Sequence, residues 1–163
     1  MKKLISFFLL IQPMLFAFHA FSQEPGIRWT KLYRPTSQLG IVAAAAANDG
    51  LQTPDGGYLA VGLTINPYLK GYLVRTNSSG DTIWTRQYFN DVTNFGSFTC
   101  TDIEKATDNN YFISGFGTKA GIPGVIWLVK INVNGDTLWT RYFHNYPEDL
   151  IFVTHDMKVT PDG

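Results

Sequence analysis

Tryptophan recurs at Trp29, Trp84 and Trp139, 55 residues apart each time. Each opens the same tripeptide: Trp29-Thr30-Lys31, Trp84-Thr85-Arg86 and Trp139-Thr140-Arg141. A fixed period of this size marks a repeat architecture. Each period is one supersecondary unit that buries its apolar face only by stacking on its neighbours. The repeat therefore constrains the fold and the cellular address more sharply than the activity.

Two full units align beyond the tryptophan. The first reads TPDGGYLAVG (53–62) and then YLVRTNSSGDTIWTR (72–86). The second reads ATDNNYFISG (106–115) and then WLVKINVNGDTLWTR (127–141). IRWTKLY (27–33) precedes them as the closing segment of a unit, and TPDG (160–163) follows as the opening of another. Each unit reads as four short strands, A to D. Strand A runs into the DGG or DNN turn, and strand B leaves it as YLAVGL or YFISGF. Strand C is YLVRT or WLVKI, and strand D is TIWTRQYF or TLWTRYFH. Aromatic and branched residues fill the strands, while Gly, Asn, Asp and Ser fill the breaks. Asp55-Gly56 and Asn109-Asn110 occupy the A–B turns, Ser79-Gly80 and Asn134-Gly135 the C–D turns. These residue types tolerate the positive φ of tight hairpins.

Strand B is apolar on both faces, with Leu59, Val61 and Leu63 on one and Tyr58, Ala60 and Gly62 on the other. That pattern predicts a sheet sandwiched between two others. On strand D, Trp84 and Arg86 share a face by the period-2 spacing of a strand. The recurrent cation (Lys31, Arg86, Arg141) suits an outer edge strand, where charge opposes unwanted pairing. The alanine run 43–47 reads as loop entering strand A. A four-stranded sheet recurring about every 40–55 residues is the β-propeller blade pattern. The alternative is a stacked β-solenoid, whose coils are shorter and lack such hairpins. The expectation is an all-β chain of four-stranded antiparallel blades, incomplete at about 2.6 units. Residues 27–33 are a lone strand D, 46–89 and 99–143 are blade units, and 154–163 start the next.

The N-terminus reads as a secretory signal over residues 1–22. Lys2 and Lys3 are the charged region, 4–18 the apolar stretch, and Ala20-Phe21-Ser22 the small-x-small cleavage pattern that leaves Gln23 first. The apolar stretch is interrupted by Gln12 and Pro13 and is short for a membrane span, and no other segment has the length for one. Cys100 is the single cysteine, so an internal disulfide is impossible; a small buried residue in strand A is the simplest reading. Lys and Arg total 13, as do Asp and Glu, with no basic stripe to meet a phosphate backbone; nucleic acid is excluded as a partner.

The pattern T-x-D-G-G-Y followed by Y-L-x-[KR]-T and G-D-T-x-W-T-[KR] resembles the repeats of large secreted bacterial β-propeller proteins, which often end in a type IX secretion sorting domain. The likeness covers 27–163 and implies an extracellular or cell-surface propeller. No sorting domain is visible, as expected if the chain is the front of a longer protein. Gly80-x-x-x-Trp84 and Gly135-x-x-x-Trp139 are also similar to the glycine-to-tryptophan spacing of pyrroloquinoline-quinone-type blades, where the tryptophan docks one blade on the next. No quinone or calcium ligands accompany it here, and no cofactor is expected. The stretch from Thr76 to Thr82 looks like an Asp-box hairpin, but Ser78 and Val133 stand where its aspartate belongs.

Several residues carry candidate chemistry. Trp29, Trp84 and Trp139, with Gly80 and Gly135, read as unit-to-unit packing, since every unit repeats them. Asp49, Asp102 and Asp156 recur early in strand A. They read either as a ring of carboxylates able to hold a cation or, preferably, as local caps on the strand entry. Asp55, Asp108 and Asp162 read as turn residues. His144 and His155 have neither zinc nor triad spacing, and Glu148-Asp149 reads as solvated surface. The B–C loops (65–71 and 117–124) and the D–A loops differ between units and lie on one rim, where function concentrates on a rigid scaffold. Tyr68, Phe89, Phe95, Tyr142 and Tyr146 make that rim aromatic; they either suit sugar or peptide binding or pack under their own loops. The reading favours a secreted binding or scaffold module with a glycan or surface protein as partner. The competing class is a fragment of an extracellular enzyme, a glycan-processing hydrolase or a quinoprotein.

A lone strand D at the start and a lone strand A at the end predict unpaired edges and exposed apolar faces, which invite association. Residues 23–163 alone are expected to self-associate in light scattering. A cooperative, monomeric thermal melt is the contrary result.

Overall fold

A computed structural model describes residues 29–33, 44–65, 69–88, 96–119, 122–143 and 153–161. The expected signal segment, 1–22, lies outside these residues. Among the described residues the chain is all-β, with no helix. Strands β1 (Ala44–Gln52), β2 (Tyr58–Ile65), β3 (Leu69–Thr76) and β4 (Thr82–Tyr88) form one four-stranded antiparallel sheet in chain order. Strands β5 (Phe98–Lys105), β6 (Tyr111–Lys119), β7 (Ile122–Ile131) and β8 (Thr137–Phe143) form a second sheet of the same topology. Each sheet holds one sequence period, so strands A to D of the two units correspond to β1–β4 and β5–β8.

The hairpins form where the turn residues predict, and their side chains add a second layer. Gly56, Gly80 and Gly135 adopt φ near +80°, and Asn109 adopts φ +64°. In the β3–β4 turn the Asn77 side chain acts as a template: its Oδ1 accepts the backbone N–H of Ser79 at 2.9 Å and of Asp81 at 2.8 Å. Asn132 does the same for Asn134 and Asp136 in the β7–β8 turn, at 2.9 Å each. These are Asx turns, in which a short polar side chain stands in for backbone. The β1–β2 turn is braced from outside. Asp55 accepts two bonds from Arg75 Nη2, at 2.7 and 2.6 Å, and one from Thr53 Oγ1 at 2.6 Å. Lys130 and Asp108 repeat the pairing in the second sheet at 2.7 Å.

Two sequence expectations change. The alanine run is strand, not loop: Ala44 pairs with Ile65 and Ala47 with Gly62, because the glycine lets the facing backbone close in. The β2–β3 and β6–β7 connections are shorter than the loops 65–71 and 117–124, since Leu69–Gly71 pair with β2, Gly117 pairs with Val125 and Lys119 pairs with Ile122. Residues 29–33 and 153–160 form no ladder among the described residues; Lys31 and Tyr33 meet the first sheet, and Thr154 and Lys158 the second, through side chains. A feature with no sequence expectation is a bulge in each A strand, at Asn48 between Ala47 and Asp49 and at Thr101 between Cys100 and Asp102. A bulge bends its strand and re-aims the side chains that follow.

One core joins the two sheets. Leu59, Val61 and Leu73 of the first pack with Cys100, Ile103, Ile113, Trp127 and Val129 of the second, all nearly inaccessible. β5 lies across β1, β2 and β3. Trp127 is fully buried because Gly115, its cross-strand partner, leaves room: a Cβ there would stand 2.6 Å from the indole. Cys100 is buried as expected, and burial pushes its thiol up to about 12. Its Sγ would meet a Cβ at Gly71 at 2.6 Å. Gly71→Ala is therefore expected to cost about 1–3 kcal/mol by overpacking. Chemical denaturation of the single and double variants checks this: Cys100→Gly should recover part of the loss, and independent, additive effects would refute the contact.

Candidate functional site

The residues that recur in sequence gather at the joints between successive units. At the outer joint, strand D of one unit lies on the C–D turn of the next. A Cβ on Gly80 would stand 2.7 Å from the Trp29 ring, and one on Gly135 would stand 2.9 Å from Trp84. Glycine is required twice at each place: for positive φ and for the indole that covers the turn. The hydroxyl of Tyr33 donates to the Gly80 carbonyl at 2.7 Å, and that of Tyr88 to the Gly135 carbonyl at 2.5 Å. Burial is the main cause of a raised pKa at both tyrosines. The cation between them also reaches across. Lys31 pairs with Asp81 at 3.0 Å, and Arg86 donates to the Asn134 carbonyl at 3.4 Å while lying 5.4 Å from the Trp84 ring centroid. The motif Trp-x-cation-x-Tyr thus matches the turn Asn-x-x-Gly-Asp twice, with the same indole and tyrosine contacts and a different partner for the cation.

In the third occurrence Phe143 replaces the tyrosine and is 51% exposed. Trp139 packs on Phe112 with ring centroids 5.8 Å apart, and Arg141 lies over it at 5.7 Å.

At the inner joint, the A strands of successive units lie side by side. Asn48 Nδ2 donates to the Cys100 carbonyl at 2.6 Å, and Thr101 Oγ1 meets Thr154 Oγ1 at 2.6 Å. Asp49 Oδ2 accepts the Ile103 N–H at 3.0 Å, and the Met157 amide acts favourably on the Asp102 carboxylate. The bulges place these side chains toward the neighbouring unit. The three aspartates do not converge as a cation ring. Asp156 is exposed and pairs with Lys158 at 3.2 Å. No group of three or more His, Cys, Asp or Glu is placed to hold a metal among the described residues. Asp49 accepts from the Ile103 amide of the adjoining unit as well as from its own neighbour, the Gly50 amide.

A groove of about 240 Å³ runs along the first sheet between residues 31–33 and β1–β3. Its walls are Leu32, Ala45, Ala60, Val61, Tyr72 and Val74, with Lys31 and Tyr33 at one side. Both of these polar residues already serve the outer joint. The lining is apolar and has no pair of acids, so it suits packing more than bond-making chemistry.

Of the rim aromatics, Tyr68, Phe89, Phe95 and Tyr146 lie outside the described residues. Tyr142 is half-buried on β8 against the core, 6.4 Å from Phe98 by ring centroids. The turn acids Asp55 and Asp108 prove to be ion-pair partners. The hydrogen bond from Thr53, then that from Arg75, holds Asp55 well below the ordinary carboxylate range, and Lys130 holds Asp108 down at about 2. Asp162 lies outside the described residues. Sequence periodicity alone carried a signal for these pairs, since Arg75 and Lys130 recur 55 residues apart. No helix is long and apolar enough to cross a membrane among the described residues. No family model matches the chain, and no curated protein matches it in sequence.

Tyr88→Phe is expected to lower unfolding stability by about 1 kcal/mol, the net worth of one buried hydrogen bond, with no change in fold. A melt indistinguishable from that of the unmodified chain would show that the hydroxyl does not clasp the turn.

Proposed function

We propose that this chain is part of a secreted or cell-surface β-propeller that serves as a binding or scaffold module, taking a glycan or a surface protein at its variable loop rim. One observation carries the reading: the outer and inner joints recur from unit to unit with equivalent residues. Trp29 on Gly80 is repeated by Trp84 on Gly135, and Asp49 on the Ile103 amide is repeated by Asp102 on the Met157 amide. A repeated joint applies the same displacement at every step, the geometric requirement of blades set around an axis. The third A segment, 153–161, already stands beside β5 in the place that β5 takes beside β1. Further units of the same kind would extend the array. Phe143 and Trp139 are the surface on which the next Asn-x-x-Gly-Asp turn would sit.

The secreted address rests on the signal pattern of 1–22 and on the resemblance to type IX-secreted propeller repeats. The binding role rests on the contrast between recurring joints and variable loops. Rigid joints fix the scaffold, and loops that differ between units diversify its rim.

The test is a glycan array and a protein-ligand titration with the secreted protein. Saturable binding is expected, weakened at least about tenfold, or 1.4 kcal/mol, by Tyr68→Ala or Tyr146→Ala. Binding that survives both substitutions, or is lost only with Trp84→Ala, would place recognition elsewhere.

A further inference from the structure

Asp49 and Asp102 occupy the same position in successive units and meet at the inner joint. Asp49 Oδ2 accepts the Ile103 N–H at 3.0 Å, which sets its carboxyl beside that of Asp102, the preceding residue. Asp102 is 7% exposed, and no donor faces its Oδ2. An ionised carboxylate can only accept hydrogen bonds. Two ionised carboxylates in this contact would turn acceptor against acceptor, with one of them buried. Like charges this close cannot both remain ionised without cost.

The surrounding groups do not relieve the contact. On β1 and β2, Asp49 pairs across the ladder with uncharged Val61. On β6, the ladder partner of Asp102 is Ser114. On β5, Glu104 is the nearest further acid and is bound to Lys158 at 2.6 Å. In the 153–161 segment, Lys158 acts favourably on Asp49 but is held by Glu104 and Asp156. His155, next to Asp156, is exposed.

We propose that Asp49 and Asp102 share one proton across the inner joint, and that its loss loosens the stacking of one unit on the next. The joint is thereby sensitive to pH. Protonated, one carboxyl donates to the other while Asp49 keeps the Ile103 amide. Ionised, the pair repels, and the Ile103 and Met157 amides lose well-placed acceptors.

The electrostatics agree in sign. Burial first, and then the Asp49 carboxyl, push Asp102 up to about 6. Burial also opposes ionisation of Asp49, but the bonds from Asp102 and from the Ile103 and Gly50 amides outweigh it, and Asp49 is lowered. A carboxyl raised in the folded state stays protonated there after the unfolded chain has ionised. Its stabilisation is therefore greatest on the acid side and is lost as pH rises from the ordinary carboxylate range through about 6. Asp55, Asp81 and Asp108 are lowered, so their contributions are lost only as pH falls below that range. The window between belongs to the aspartate pair.

The experiment is hydrogen exchange by mass spectrometry on the whole chain at pH 5 and pH 7.5, corrected for intrinsic base catalysis and repeated with added sodium, calcium or chelator. Protection of the peptides holding the Ile103 and Met157 amides should fall roughly tenfold or more at the higher pH, because the folded pair binds its proton more tightly than an ordinary carboxyl by at least that factor. Asp102→Asn carries a permanent donor and should abolish that dependence. Asp49→Asn removes the second acid and should move the transition down toward the ordinary carboxylate range, so a poorly folded Asp102→Asn protein leaves the idea testable. Equal protection of the unmodified chain at both pH values overturns the proposal. So does an unchanged dependence in either variant, or protection that follows metal cation at constant pH.

Discussion

An indole ring lying on a glycine turn sets the spacing of everything else in this chain. Trp84 covers Gly135, and Trp29 covers Gly80, at distances that no β-carbon would allow. Both rings are half-buried, and covering that much apolar surface contributes on the order of 1–2 kcal/mol. The contact is also directional, because the turn must present a face without a side chain. The tyrosine hydroxyl on the glycine carbonyl then fixes rotation about the contact, and the intervening cation reaches the turn from the other side. Strand D of one unit can therefore meet the next in one register only.

The inner joint complements it at the other side of the sheets. The bulges at Asn48 and Thr101 interrupt the ladders and direct polar side chains toward the neighbouring strand instead of their own sheet. Hydrogen bonds there link backbone and side chain of successive units without making one continuous sheet. Between the two joints lies the shared apolar core of Leu59, Leu73, Ile113 and Trp127. Apolar burial holds the sheets together, while the joints decide how they are oriented. A surface built on such a frame can vary its connecting loops without disturbing the packing beneath.

Much of this was legible in the sequence because it is local or periodic. The tryptophan interval marks the units, and the Gly and Asn positions mark the hairpins. The tripeptide also placed Trp84 and Arg86 on one face, as their contact requires. What escaped depends on three-dimensional proximity. Asp49 looked like a cap for its own strand, since nothing local shows that a bulge turns it toward Ile103. Asp55 looked like a turn residue because its partner, Arg75, is 20 residues away on another strand. The alanine run was ambiguous because alanine has little strand preference of its own; pairing with β2, opened by Gly62, decides it. The variable loops look longer than the strands leave them, because the paired residues at the hairpin ends include Gly71 and Gly117, which sequence reading assigns to turns. The rim aromatics depend on loop conformation, which strand periodicity does not encode.

The most direct test of the account is the chemical shift of the Gly80 and Gly135 α-protons, read by NMR on glycine-labelled protein. An indole stacked on each turn should move both sets of protons upfield by its ring current. Trp29→Ala should return only the Gly80 signals to their ordinary position, and Trp84→Ala only those of Gly135. Unshifted α-protons, or a Trp84→Ala protein in which Gly135 keeps its shift, would contradict the claim that each unit is held to the next through its tryptophan.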